Sequence, residues 1–321
     1  NGLVRHPGGW MGEDIDVLFN FIHSGDPKQR EYCNCNVRDE VMAKKFDRRN
    51  GDYNDFWAGR DYLNQLGPLR AATLMAHAFN DWNVMPEHSV RIYEAIKKKG
   101  VPCQAFFHQG GHGGPPPLAQ MNRWFTRYLY DVKNDVEKDP KSWVVRESDR
   151  RTNPTPYADY PHPDASQVTM HPGGKGTGLG SLSTQASKSR GKATLVDDVS
   201  LSGAKLAGAK QSSHRLLYAT PELKEPLHIS GTPRIKIRLA CNKPAANLSV
   251  WVVSLPWTKS RKINDNIITR GWADPQNHKS LRESSPLKPG AFYDLSFDLQ
   301  PDDQIIPAGQ RIGLMVFSSD R

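Results

Sequence analysis

Ala71-Ala72-Thr73-Leu74-Met75-Ala76-His77-Ala78-Phe79-Asn80-Asp81-Trp82-Asn83, and then Cys103-Gln104-Ala105-Phe106-Phe107-His108-Gln109-Gly110-Gly111-His112-Gly113-Gly114, are the stretches that decide the fold of this 321-residue chain. Each is a short apolar run ending in a polar or glycine-rich loop, as a strand buried in a parallel sheet would. Between them, Pro86 suits a first helical turn, Val90, Tyr93 and Ile96 share one face, and Gly100 follows a Lys-rich last turn as a stop. Leu118, Met121, Phe125, Tyr128 and Leu129 then mark an amphipathic helix. Two successive βα units predict a parallel sheet covered by helices.

In such sheets functional groups collect on loops beyond the carboxyl ends of the strands, and both runs end in candidates: Asp81 after the first, His112 after the second. One βα unit separates them, which places their loops side by side. A carboxylate on one imidazole nitrogen fixes the tautomer in which the other can take a proton from a hydroxyl, and it stabilises the imidazolium that results. The glycines around His112 leave room for close approach. A loop Asp or His is also a common turn former or surface group, so the pattern alone leaves that alternative open. His108 and His112 have the i, i+4 spacing of a helical metal pair, but Gly110-Gly111 between them argues against a helix, and no metal is expected. His77, inside the first apolar run, reads as a hydrogen-bonded core residue.

Outward from this unit the pattern changes. Residues 1–66 are charged and aromatic with helix-like stretches, and read as a small helical insertion before residues 67–138, which carry the βα units. Beyond 138, residues 150–192 are first Pro-rich and then Gly/Ser-rich, with a flexible surface excursion expected near 173–192. Gly176-Thr177-Gly178-Leu179-Gly180 is superficially like a phosphate-cradling loop but lacks the flanking strand and helix. From about Leu216, alternating segments at 235–239, 248–253, 293–299 and 312–317 point to an antiparallel sandwich, so that 139–321 form a β domain.

An apolar fraction of 37% and a charged fraction of 24% are those of an ordinary globular protein, long enough for two cores. No apolar run approaches the roughly 20 residues of a membrane span. The net charge of +9 is spread along the chain without a nucleic-acid-binding motif, so neither nucleic acid nor membrane is expected as a partner. Cys33, Cys35, Cys103 and Cys241 form no C-x-x-C pair. The start at Asn1 looks internal, so any targeting signal would lie upstream. The compartment stays open, with a secreted or periplasmic one placed ahead of the cytoplasm, and so does the oligomeric state.

Several segments together carry a resemblance. Asn1-Gly2-Leu3-Val4-Arg5 with Gly12-Glu13-Asp14-Ile15-Asp16-Val17-Leu18 resembles the cap region of the X-prolyl dipeptidyl aminopeptidases, and Asp52-Tyr53-Asn54-Asp55-Phe56-Trp57-Ala58-Gly59-Arg60-Asp61-Tyr62-Leu63 their return from cap to sheet. His77-Ala78-Phe79-Asn80-Asp81-Trp82-Asn83-Val84 is similar to the family's catalytic-Asp segment, and Gly110-Gly111-His112-Gly113 to its catalytic-His segment. Pro307-Ala308-Gly309-Gln310-Arg311-Ile312 looks like part of the jelly-roll domain shared with cocaine esterase and related acyl hydrolases.

The resemblance implies an α/β-hydrolase sheet with a helical cap, followed by a jelly-roll β-sandwich. It implies a serine exopeptidase that releases X-Pro dipeptides without a cofactor, with Asp81 and His112 as acid and base. Glu13, with Asp14 beside it, would anchor the substrate's α-amino group, and Trp82 would line the proline pocket. Without the resemblance, Glu13 reads simply as a residue starting a helix. No G-x-S-x-G elbow occurs in the 321 residues, so the nucleophile is expected in an upstream part of the same protein. The alternatives are an ester hydrolase with the same triad and a non-catalytic, glycan-binding β module.

Overall fold

Asp26 starts the first helix among the described residues, α1 (Pro27–Cys33), by accepting hydrogen bonds from the amides of Lys28 and Gln29, and helical turns continue to Lys45. The computed structural model describes residues 25–47, 50–186, 191–258 and 263–318. One unit of the chain comprises Asn1–Gly67 with Gln276–Leu287. Its core is small: Cys33, Met42 and Phe46 pack with Phe56 and Trp57. The last two lie on α2 (Asp55–Ala58), which Asn54 caps through the amides of Phe56 and Trp57. Residues 276–287 join this unit through polar contacts that sequence periodicity does not register, including Asn277 to Asp52 at 2.9 Å and Arg282 to Asp55 at 2.7 Å.

The second unit spans Pro68–Pro275 and Lys288–Arg321. Its first layer is built from β1 (Thr73–Ala78), α3 (Glu87–Lys98), β2 (Cys103–His108), α4 (Leu118–Tyr130), β3 (Ser142–Val145) and β4 (Thr155–Tyr157), with the strands in the order β1-β2-β3-β4. β1, β2 and β3 are parallel and β4 is antiparallel to β3. Every residue of β2 is buried, which is why its sequence shows no period-two alternation. Cys103, Ala105 and Phe107 meet Val90, Tyr93 and Ile96 of α3. Burying a side chain such as Val90, Ile96 or Phe107 contributes about 1.5–3 kcal/mol.

Two expectations for this layer change. The sheet runs past residue 138, where the sequence pattern places its end, because β3, four residues long, is too short to announce itself. In α4 the buried side chain is Trp124, while Leu118, Phe125 and Leu129 are exposed. The apolar positions of that helix form two stripes, which a single amphipathic face does not distinguish.

The rest of the unit is largely β: β5 (His171–Gly173), β6 (Gly180–Ser183), α5 (Gly203–Gly208), β7 (Leu216–Ala219), β8 (Leu227–Gly231), β9 (Arg234–Leu239), β10 (Leu248–Leu255), β11 (Ile267–Ala273), β12 (Tyr293–Asp298), β13 (Asp302–Ile306) and β14 (Arg311–Phe317). A six-stranded sheet has the order β11-β10-β14-β7-β6-β5, and β9 pairs with β12 and β8 with β13. All these pairs are antiparallel except β6 with β7. One core gathers Leu206, Ala207, Trp251, Val253, Met315 and Phe317, and the other sets Val250, Leu299 and Val316 against Ile235, Ile237 and Phe297. Trp251 is buried and stacks on Trp257, so neither supplies an exposed aromatic stripe.

The Gly/Ser-rich stretch is therefore not only a surface excursion, since β5 and β6 belong to the sheet. The reason is Arg215, fully buried. Its guanidinium donates to the carbonyls of Gly176 (2.9 Å), Thr177 (3.2 Å), Gly178 (2.7 Å), Leu206 (3.1 Å) and Ala209 (2.6 Å). The glycine loop thus turns carbonyl oxygens onto a cation, the opposite polarity from a loop that turns amides onto a phosphate.

Candidate active site

The tips of β1 and β2 are stitched together by backbone and side-chain bonds. The Phe79 amide donates to the His108 carbonyl at 2.8 Å and the Asn80 amide to the Gly110 carbonyl at 3.2 Å. Asn80 Nδ2 donates to the Gln109 carbonyl at 2.9 Å. With the ladder extended in this way, the residues that follow, Asp81 and His112, come together: His112 Nδ1 lies 2.9 Å from Asp81 Oδ2.

The two partners sit in opposite environments. The Asp81 side chain is 4% exposed and that of His112 is 63% exposed. Burial alone would raise the Asp81 pKa, but the Val84 amide (2.9 Å), His112 and the Asn83 amide (3.0 Å) outweigh it and hold the carboxyl below its ordinary value. An ionised carboxylate only accepts hydrogen bonds, so Nδ1 of His112 carries the proton and Nε2 is the basic atom of an open ring. That is the arrangement of a general base.

His77 proves closer to this pair than a core residue need be. Its Nε2 donates to the Val84 carbonyl at 2.8 Å and lies 3.4 Å from Asp81 Oδ2, while its Nδ1 meets Ser89 Oγ at 2.5 Å. It therefore pins the 81–84 turn whose amides hold Asp81. The signal in the sequence is the i, i+4 spacing from His77 to Asp81, which a strand-based reading passes over.

Trp82 has one ring face covered by the Arg270 guanidinium, 3.6 Å from the ring centroid. His108 is buried, its Nδ1 accepts from the Gly110 amide at 3.0 Å, and burial first and the Arg151 charge second push its pKa down. Gly114 has φ +114°, and a Cβ there would stand 2.4 Å from His108 Nε2, so the His112 loop needs glycine at that point. Among the described residues no group of three or more His, Cys, Asp and Glu is placed to hold a metal ion. Glu13 and Asp14 lie outside the described residues.

Sequence periodicity also missed a buried polar cluster beside the β2 tip. Asp303 Oδ1 accepts from Tyr157 Oη at 2.8 Å and meets His228 Nε2 at 2.9 Å. Asp302 is buried, and Gln109 Nε2 donates to its Oδ1 at 3.2 Å. Burial pushes the Asp302 pKa up to about 8, against the Gln109 and Asp303 amide bonds, and the Asp303 and Glu147 charges add to the rise.

Solved structures share this fold, a parallel sheet followed by a largely β region. An α-amino acid ester hydrolase superposes with a TM-score of 0.66 at 15% identity, over 94% of this chain and 56% of that one. An aminopeptidase from the marine sediment archaeon Thaumarchaeota archaeon does so with 0.64 at 16%, over 94% and 56%.

Residues 134–321 match the model of the X-Pro dipeptidyl-peptidase C-terminal non-catalytic domain, and residues 1–114 that of X-Pro dipeptidyl-peptidase (S15 family). The chain belongs to the X-Pro dipeptidyl-peptidase family. A Rhodopirellula baltica protein named "Putative Xaa-Pro dipeptidyl-peptidase" is 64% identical over the whole chain, which covers 52% of that protein. The chain spans about half the length of the curated relatives it matches.

Proposed function

We propose that these residues carry the acid and base of a serine exopeptidase that removes X-Pro dipeptides from the N termini of peptides. The observation that supports it most is the 2.9 Å contact between buried Asp81 and exposed His112. The nucleophilic serine comes from a part of the protein outside these 321 residues. Its Oγ attacks the carbonyl of the proline residue while His112 Nε2 takes the hydroxyl proton. The imidazolium, held by Asp81, then gives that proton to the departing amine, and water hydrolyses the acyl-enzyme by the same route in reverse. No cofactor enters these steps.

Selectivity for a free N terminus needs a carboxylate at a fixed distance from the scissile bond, the role of Glu13 with Asp14 beside it. Trp82 lines the proline pocket. In this scheme 1–66 are the cap, 67 to about 157 the end of the hydrolase domain, and the β region that follows a jelly-roll sandwich. Full-length protein should release p-nitroaniline from X-Pro-p-nitroanilide but not from its N-acetylated form, and Glu13→Gln should raise KM for the free-amine substrate only. Hydrolysis of simple esters with no turnover of X-Pro amides would replace this reading with an ester hydrolase.

A further inference from the structure

Gln109 leaves the tip of β2 three residues before His112, and both ends of its side-chain amide are occupied. Oε1 accepts from Asn80 Nδ2 at 3.1 Å, and Asn80 is the neighbour of Asp81. Nε2 donates to Asp302 Oδ1 at 3.2 Å and to the Asp303 carbonyl, both on β13. One side chain thus joins the acid's loop, the base's loop and the β region.

A second strut runs parallel to it. The Arg270 guanidinium of β11 covers Trp82, which follows Asp81. Arg270 is tied to the β13 side by its carbonyl, which accepts from the Gln300 amide at 2.9 Å, and Gln300 Oε1 accepts from the Glu87 amide at 3.2 Å, at the start of α3. The His112 ring, 63% exposed, is not held by packing, and its loop from Gly110 to Gly114 holds four glycines that add no side-chain bulk. Its location therefore depends on what fixes the loop's base.

We infer that Gln109 is a positioning residue that sets the spacing of Asp81 and His112, and that Asp302 and Asp303 of β13 are its anchor. The inference rests on the acid–base assignment proposed above. It gives the region matched by a family model described as non-catalytic a part in the chemistry, exerted through Gln109 rather than by touching substrate. The amide suits the task because it accepts at one end and donates at the other, so it can bridge a donor, Asn80, and two acceptors on β13. A displacement of about 1 Å in such a pair costs on the order of a hundredfold in rate.

The test uses full-length protein, with kcat and KM measured on X-Pro-p-nitroanilide and expressed per site labelled by a fluorophosphonate. Gln109→Leu should lower kcat per labelled site by about tenfold or more, with KM changing less than about threefold. Asp302→Leu should do the same, and Asp302→Asn, which keeps the acceptor oxygen, should restore most of that loss. Should the Leu variants not fold, Gln109→Asn, shorter by one methylene and equally polar, is expected to show the same kcat loss. Wild-type kcat per labelled site in these variants, with only fewer sites or a lower Tm, would overturn the inference. Failure of the acid–base assignment shows itself separately, as a His112→Ala enzyme that keeps its activity.

Discussion

Replacing Asp81 by Asn changes one atom and should reverse the proton arrangement of the pair. Asp81 Oδ1 accepts from the amides of Asn83 and Val84 at 3.0 and 2.9 Å, and Oδ2 faces His112 Nδ1 at 2.9 Å. Asn has a single acceptor oxygen for these two jobs. Kept on the backbone amides, that oxygen leaves an NH2 group facing Nδ1, which must then accept, so the imidazole proton moves to Nε2 and the base is lost. The flipped amide would set its NH2 against two N–H donors and strip both of their acceptor, costing about 1–3 kcal/mol each, or roughly 2–6 kcal/mol together. His77 Nε2, at 3.4 Å from Oδ2, is committed to the Val84 carbonyl and too distant to reverse that preference. The wrong tautomer therefore wins. Its consequence is a loss of about 10⁴ in kcat, equivalent to roughly 5 kcal/mol of transition-state stabilisation. Steady-state kinetics of full-length Asp81→Asn on X-Pro-p-nitroanilide, with Tm measured alongside, read this directly. A folded variant within tenfold of wild type would refute the tautomer argument.

Arg215→Leu removes a buried guanidinium and leaves five carbonyl contacts without their donor, so it should destabilise the protein by about 3–5 kcal/mol and lower Tm by around ten degrees in a thermal melt, whatever its effect on activity. Gly114→Ala places a methyl against His108 at a φ of +114° and should cost about 1–3 kcal/mol, read as a lower Tm together with a reduced kcat. Asp302, raised from 3.8 to about 8 in the folded state, binds its proton there more tightly than in the unfolded chain. Its contribution to stability should thus fall as pH rises from about 4 to about 8 and change no further above that. Asp302→Asn should remove this slope, raising Tm at pH 8.5 relative to pH 5 when compared with wild type, and an unchanged pH dependence of Tm would contradict the assignment.

The sequence was most informative where one element decides its own state. β2, buried throughout, reads as an apolar run, and the observed strand begins and ends where that run does, at Cys103 and His108. α3 shows its core face in Val90, Tyr93 and Ile96. Asp81 and His112 were legible because strand ends on a parallel sheet are few and the loop glycines are conspicuous. What escaped was held by contacts distant in sequence. β5 and β6 owe their place to Arg215, some forty residues on, and residues 276–287 owe theirs to Asp52 and Asp55, more than two hundred residues back. His77 and Gln109 looked like an ordinary core group and loop group, since nothing local marks the Val84 carbonyl or Asp302 as their partners. Trp124 shows that even a clear helical period can assign the wrong stripe to the core.

At the centre stands the claim that the exposed imidazole at the tip of β2 moves the proton in every turnover. The most direct measurement is kcat/KM of full-length His112→Ala for an X-Pro amide, normalised to folded protein. A loss of about 10⁴-fold or more, with the fold intact, is the predicted result, and retention of activity within about tenfold of wild type would contradict it.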